Sequence, residues 1–492
     1  LKSVCLAQSV WCQVFRISEI HESVMKVDHE NDYFSRALFV LCGAGVNVAS
    51  AIYFAYINVY AVKMPRLVLA WMSLATPVSG FVVVILQAKL DANFDRTHGT
   101  GATYPCRVGF GLLGLAILLF LVPYAVELTH VLLLGVFLGA FGGFTVASLN
   151  QMASVVHTTF TKYVATGMTI GQGLPIPLSL YLGFGKEDAS DDTRRIFAWL
   201  PASFCFLTFT LFLVAARQGI FNAAFMSMDE THNSDGDEED ESRRLIGGSS
   251  NETQQLSEWL RWPALGCAVM QFSGNFLAMT LVPFFTYAGS LRLAHELMLV
   301  LETPQNAKTA HRQNLQKHFS FASRALRSNE QIVVAGVGGF GFFSFQSFYG
   351  FGGLGSWPFW VSQLVRFGGE LVGRVASHYL RLWDWGFLNE TGLRLLLTVT
   401  CTRAVLLLML MFACIGPEIK VAKVLLFAMV GFYYCSYAWG HSELNVLVCQ
   451  VGHKRNKVDI MRGMTLFMLC GQIVGAVAAL VILIVFGSNF LR

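Results

Sequence analysis

Residues 130–155 read HVLLLGVFLGAFGGFTVASLNQMASV. No Asp, Glu, Lys or Arg interrupts them, and the run exceeds the ~20 apolar residues that an α-helix needs to cross a bilayer. In water such a helix would have to be enclosed on every side. In lipid its outer face needs no polar coat, because all its backbone hydrogen bonds are made within the segment. Comparable segments recur along the chain at roughly 37–62, 67–89, 107–127, 164–184, 195–216, 262–289, 357–380, 393–415, 422–447 and 461–487. The reading is an all-α polytopic membrane protein of about eleven transmembrane helices in a 6+5 arrangement.

Composition agrees. Of the 492 residues, 54% are hydrophobic and 13% charged, against about 25% charged in soluble domains. A soluble chain of this length would form several domains, each with a solvated surface that these few charges cannot coat. The net charge of +4 is too small to suggest a nucleic acid polymer as partner. The 11 cysteines are scattered without a CxxC pair, which fits buried small hydrophobes and no metal site. No cofactor is implied.

Two polar interruptions organise the chain. Residues 217–261 include MDETHNSDGDEEDESRRLI, an acidic run that cannot bury a core. It reads as a disordered cytosolic loop between a first half, 37–216, with spans one to six, and a second half, 262–487, with spans seven to eleven. Residues 1–36 read as a cytosolic segment without a cleavable signal peptide, so the first span doubles as insertion signal. The second half carries an insertion at about 290–356. It is basic through Arg292, Lys308, Arg312, Lys317, Arg324 and Arg327, and its Gly- and Phe-rich stretch 333–353 reads as a re-entrant or loop element.

Lys and Arg in short loops orient the bundle. The loop after the second span, AKLDANFDRTHGTGATYPCR (88–107), and the loop after the tenth, VGHKRNKVDIMR (451–462), are both basic and fall on one side. That places the N-terminus in the cytosol; the basic segment within 290–331 then falls on the opposite side. Small residues at four-residue spacing, Gly135, Gly139 and Gly143, Gly167 and Gly171, Gly471 and Gly475, predict close helix packing in lipid.

The informative residues are polar ones at membrane depth. The eighth span, WPFWVSQLVRFGGELVGRVASHYL (357–380), places Arg366, Glu370 and Arg374 four apart. On a helix they share one face, and Glu370 can bridge to either arginine. Intramembrane charges are tolerated when paired or hydrated, so this stripe is read as one wall of a solute pathway, with Gln363 and Ser377 near the same face. The fifth span opens TGMTIGQGLPIPLSL (166–180). There Gln172 sits between two glycines, with Pro175 and Pro177 kinking the helix just after. Its amide offers donor and acceptor to a polar ligand edge. In the first span Asn47 and Ser50 are polar, beside Tyr53, Phe54 and Tyr56.

These places carry a resemblance to equilibrative nucleoside transporters. The family's eighth span has an acid four residues before the Arg of a Gly-Arg pair, here Glu370-Leu371-Val372-Gly373-Arg374. Its fifth span has a Gly-Gln-Gly-Leu block, here Gly171-Gln172-Gly173-Leu174. Pro283, the closing stretch MRGMTLFMLCGQIVGAVAAL (461–480) and the long loop after span six are also similar. The chain departs from the pattern at Glu370, where the family has Asp, at Phe367, where it has Asn, and at Ala49-Ser50-Ala51, where it has Pro-Trp-Asn. The resemblance implies a major-facilitator-like bundle of two rocking halves. It implies equilibrative movement of nucleosides or nucleobases, with Gln172, Glu370, Arg374, Arg366, Asn47 and Ser50 as substrate-binding candidates. The alternative is a major-facilitator-like carrier of another small polar solute: a sugar, peptide or drug. An enzyme is not expected, since no catalytic constellation occurs among the dispersed histidines.

Glu241, Leu245 and Ile246 fit an acidic dileucine motif for a sorting adaptor in the acidic loop. The address is therefore the plasma membrane or an endolysosomal or vacuolar membrane. Asn251 and Asn389 stand in glycosylation-like triplets, but in loops expected to be cytosolic.

Overall fold

The computed structural model describes residues 33–56, 68–98, 100–182, 184, 190–221, 266–274, 357–380, 390–415, 420–451 and 457–490. The N-terminal segment through residue 32, the acidic loop with Glu241, Leu245 and Ile246, the insertion at 290–356, Pro283, Asn251 and Asn389 lie outside the described residues. Among the described residues every element is helical. The helices are α1 (Tyr33–Ala55), α2 (Val68–His98), α3 (Thr100–Leu121), α4 (Leu128–Val156), α5 (Phe160–Gly173), α6 (Pro175–Leu182), α7 (Asp191–Arg217), α8 (Trp357–Tyr379), α9 (Glu390–Ile415), α10 (Lys420–Val451) and α11 (Lys457–Phe490). A further helical segment, 266–274, is the described part of the expected seventh span. The chain is a polytopic membrane protein: among the described residues, six helices are long and apolar enough to cross a bilayer.

The expected fifth span is two helices. α5 ends at Gly173 and α6 begins at Pro175, whose ring removes a backbone donor at the junction. α7 closes the first half with terminal chemistry matched to its dipole. Ser190 Oγ accepts from Thr193 N at 3.1 Å, Asp191 and Asp192 occupy the first turn and Arg217 the last, and Gly219 leaves the helix at φ 71°.

Within the first half α1 packs on α5 and α2 on α4; in the second half α8 packs on α10. Glycine makes each of these seams close. A Cβ on Gly171 would fall on the Ala44 carbonyl oxygen, one on Gly139 on that of Thr76, and one on Gly373 on that of Cys435. Gly471 gives the same room to Val269, 2.7 Å from where its Cβ would stand. The halves meet where α2 and α4 touch α11 and where α5 touches α8 and α10. Outward-facing apolar side chains such as Ile117, Phe120, Phe137, Phe206 and Leu207 form the surface that lipid covers.

One sequence expectation is overturned. The stretch 88–107, expected as a loop, is helical in the described residues. α2 continues through it to His98 and α3 starts at Thr100. Arg107 is fully buried, 3.0 Å from Asp91 and 2.5 Å from Asp95. Asp91 is also 2.9 Å from Arg462 of α11, and Thr103 Oγ1 donates to Asp95 at 2.7 Å. Of the charges that read as loop residues, Asp91, Asp95 and Arg107 neutralise one another, while Lys89 stays exposed. Charges held this way in the structure are weak indicators of membrane orientation.

Candidate functional site

Between the halves lies a cavity with about 1290 Å³ of atom-free space, part of it open to solvent. Small-molecule sites typically occupy ~300–1,000 Å³. α1, α2, α4 and α5 contribute one wall; α8, α10, α11 and Phe272 of segment 266–274 contribute the other. All six candidate residues, Asn47, Ser50, Gln172, Arg366, Glu370 and Arg374, line it.

The α8 stripe is buried and turned to the cavity, each of its three residues 4–5% exposed. Its charges do not pair symmetrically. Arg366 Nε stands 3.4 Å from Glu370 Oε1, with its guanidinium 5.2 Å over the Tyr434 ring. Arg374 turns to α10 and α5 instead. It donates to Ser442 Oγ at 2.9 Å, to the Ala438 carbonyl at 3.1 Å and to Thr169 Oγ1 at 3.4 Å, and lies 5.8 Å over Tyr437. The i,i+4 spacing allowed Glu370 either arginine; the neighbouring helices decide for Arg366. Ser377 donates to the Arg374 carbonyl at 2.7 Å. The side chain of Gln363 lies outside the described residues.

The Gly-Gln-Gly block now has a physical reason. Gly171 admits the α1 backbone, and Gly173 admits the Phe367 ring of α8. With both flanks taken by close packing, Gln172 faces the cavity. No hydrogen bond fixes its amide among the described residues, which leaves both functions for a ligand. Asn47 is partly committed, its Nδ2 donating to the Met168 carbonyl at 2.9 Å across the α1–α5 seam. Ser50 lines the wall one turn further along α1.

Residues that sequence reading missed complete the site. Tyr437 and His441 of α10, Thr465 and Gln472 of α11, and Phe272 line the cavity. Arg403 of α9 stands behind it, buried, 4.5 Å over Tyr433 and 5.0 Å over Tyr437. Arg403 and His441 lie inside the expected spans 393–415 and 422–447, so the rule that made α8 informative applies to them as well; which of them meets the cavity is set by helix rotation in the bundle.

Beyond one end of the cavity the halves are joined by charge. Lys162 of α5 meets Glu443 of α10 at 2.6 Å, both side chains buried, and Lys162 also donates to the Ser377 carbonyl of α8. Lys162 lies about two to three turns before Thr169 and Gln172, and Glu443 lies two residues past His441. The Asp91–Arg462 pair lies where α2 finishes and α11 begins, as Lys162 lies where α5 begins and Glu443 toward the finish of α10.

No protein-family model and no curated protein matches the chain. Among solved structures it is similar to a Major Facilitator Superfamily transporter, FucP, in the outward conformation, at 13% identity and TM-score 0.42 over 92% of this chain and 98% of that one. It is also similar to the proton:xylose symporter XylE of the same superfamily, bound to 6-bromo-6-deoxy-D-glucose, at 9% identity and TM-score 0.44 over 98% of this chain and 90% of that one.

Proposed function

We infer that the protein is a membrane carrier that moves a small polar solute through the central cavity by alternating access, with nucleosides or nucleobases as the solute class. One observation carries the reading: a cavity walled by both halves gathers Gln172, Asn47 and Ser50 from one side and the Arg366–Glu370–Arg374 stripe from the other. Burial of three charges along one face of a membrane helix is expensive unless they serve a wet pathway. The pathway side offers carboxylate, guanidinium and amide groups suited to hydroxyls and ring polar atoms, with Phe54, Phe272 and Tyr437 for stacking. The resemblance of Gly171–Leu174 and Glu370–Arg374 to nucleoside transporters supports the solute class.

In this mechanism the solute bridges the halves at Gln172 and Glu370, and the halves rock about it. The Lys162–Glu443 and Asp91–Arg462 links hold one end shut and separate when that end opens. Arg366, 3.4 Å from Glu370, orients its carboxyl group in the cavity wall, and the resemblance to equilibrative carriers supports uptake driven by the solute gradient alone.

The test is uptake by cells lacking their own nucleoside carriers, with labelled adenosine, uridine and adenine at two external pH values, and a labelled hexose beside them. Saturable, pH-independent uptake of a nucleoside or base is expected. Hexose uptake alone would replace the nucleoside reading by a sugar carrier.

A further inference from the structure

His441 stands in the cavity wall, 3% exposed, between two aromatic rings. Phe272 meets it edge-on at 4.8 Å and 90°, and Tyr437 runs nearly parallel to it at 6.0 Å and 13°. Its Nε2 faces Asn445 Nδ2 at 3.1 Å. In this amide orientation Asn445 donates, Nε2 accepts, and the single proton of a neutral imidazole rides on Nδ1. Nδ1 has no hydrogen-bond partner among the described residues. The ring that carries it lines the cavity, so an acceptor on a solute seated there is a partner open to this N–H. Arg366 and Arg374 are already held by Glu370 and by α10 and α5, which leaves His441 as a donor not spent on the fold.

We propose that His441 is a specificity-determining residue whose Nδ1–H donates to an acceptor, a ring nitrogen or carbonyl, of a heteroaromatic solute seated against Phe272 and Tyr437. The assignment rests on the solute-carrier reading and deepens it. Gln172 addresses the solute from the facing wall and Glu370 from the same one, and His441 distinguishes heterocycles by the position of their acceptors. A C–H in place of the acceptor leaves the imidazole unsatisfied, so such analogues are discriminated against.

The experiment uses the full chain in cells, with adenosine uptake competed by 1-, 3- and 7-deazaadenosine, each of which replaces one ring nitrogen by C–H. In the wild type at least one analogue competes about tenfold more weakly than adenosine, the scale of one neutral hydrogen bond. In His441→Phe, which keeps a ring for Phe272 and Tyr437 to pack on, that discrimination falls below about twofold. If His441→Phe does not reach the membrane, Asn445→Leu takes its place. Loss of the Nε2 partner releases the imidazole proton from Nδ1, and the discrimination falls at least about threefold. Adenosine uptake competed equally by all three analogues overturns the His441 assignment alone, as does discrimination unchanged in the variant. Uptake of none of adenosine, uridine and adenine by the wild type overturns both the nucleoside reading and the heteroaromatic acceptor.

Discussion

Lys162 and Glu443, 281 positions apart in sequence, meet at 2.6 Å in the seam between the two halves, both side chains almost wholly buried. The sequence does not pair them: Lys162 precedes the expected fifth span, and Glu443 is a carboxylate within the expected tenth. Their meeting ties α5 to α10, and the Ser377 carbonyl brings α8 into the same knot. In the carrier reading this knot is a lock on one end of the pathway.

A lock of this kind has an asymmetric mutational signature. Lys162→Met or Glu443→Leu alone strands a buried charge and costs about 3–5 kcal/mol of stability. The double variant removes both charges and returns most of that loss. A double-mutant cycle on thermal denaturation in detergent measures it; additive losses in the double variant would show that the pair is not coupled.

Glu370→Gln keeps the shape of the side chain but leaves buried Arg366 without its carboxylate, and uptake per molecule at the surface falls at least ~10-fold, since the cavity loses a charged hydrogen-bond acceptor worth about 1.5–3 kcal/mol. Surface expression and uptake are read together. Normal transport by this variant would remove Glu370, and with it the α8 stripe, from the pathway.

The two acids of α2 that pair with Arg107 of α3 differ in burial, 5% for the Asp91 side chain and 19% for Asp95. Asp91 also bridges Arg107 to Arg462. Asp91→Asn therefore destabilises by about 3 kcal/mol or more and Asp95→Asn by less. Melting temperatures of the two purified variants decide the order; equal losses would contradict the bridging role of Asp91.

Close helix approach predicts a contrast among glycines. Gly171→Ala forces α5 off the Ala44 carbonyl and destabilises by about 1–3 kcal/mol. Gly142→Ala meets nothing within 4 Å and changes stability by less than about 0.5 kcal/mol. Thermal shift in one detergent compares them, and equal effects would mean that the α1–α5 seam is not the tight one.

Legibility differed by the kind of information each feature carries. The membrane character and the helical spans follow from runs such as 130–155, because exclusion from water depends on local composition. The α8 stripe was legible for the same reason: three charges four apart in an apolar helix have one face to share. Gln172 stood out through its glycines and prolines, which are local backbone signals. In the 88–107 stretch Asp91, Asp95 and Arg107 look solvated in one dimension and are paired in three.

The sequence by itself determined that this chain lives in a bilayer, that its helices pack through small residues, and which helix face must avoid lipid. Each of these is set by neighbours within a turn or two. Only the tertiary structure decided that Glu370 takes Arg366 while Arg374 turns to Ser442, that Lys162 finds Glu443, and that His441 joins the cavity wall. Those outcomes depend on how helices far apart in the chain rotate against one another, and no local spacing encodes that rotation.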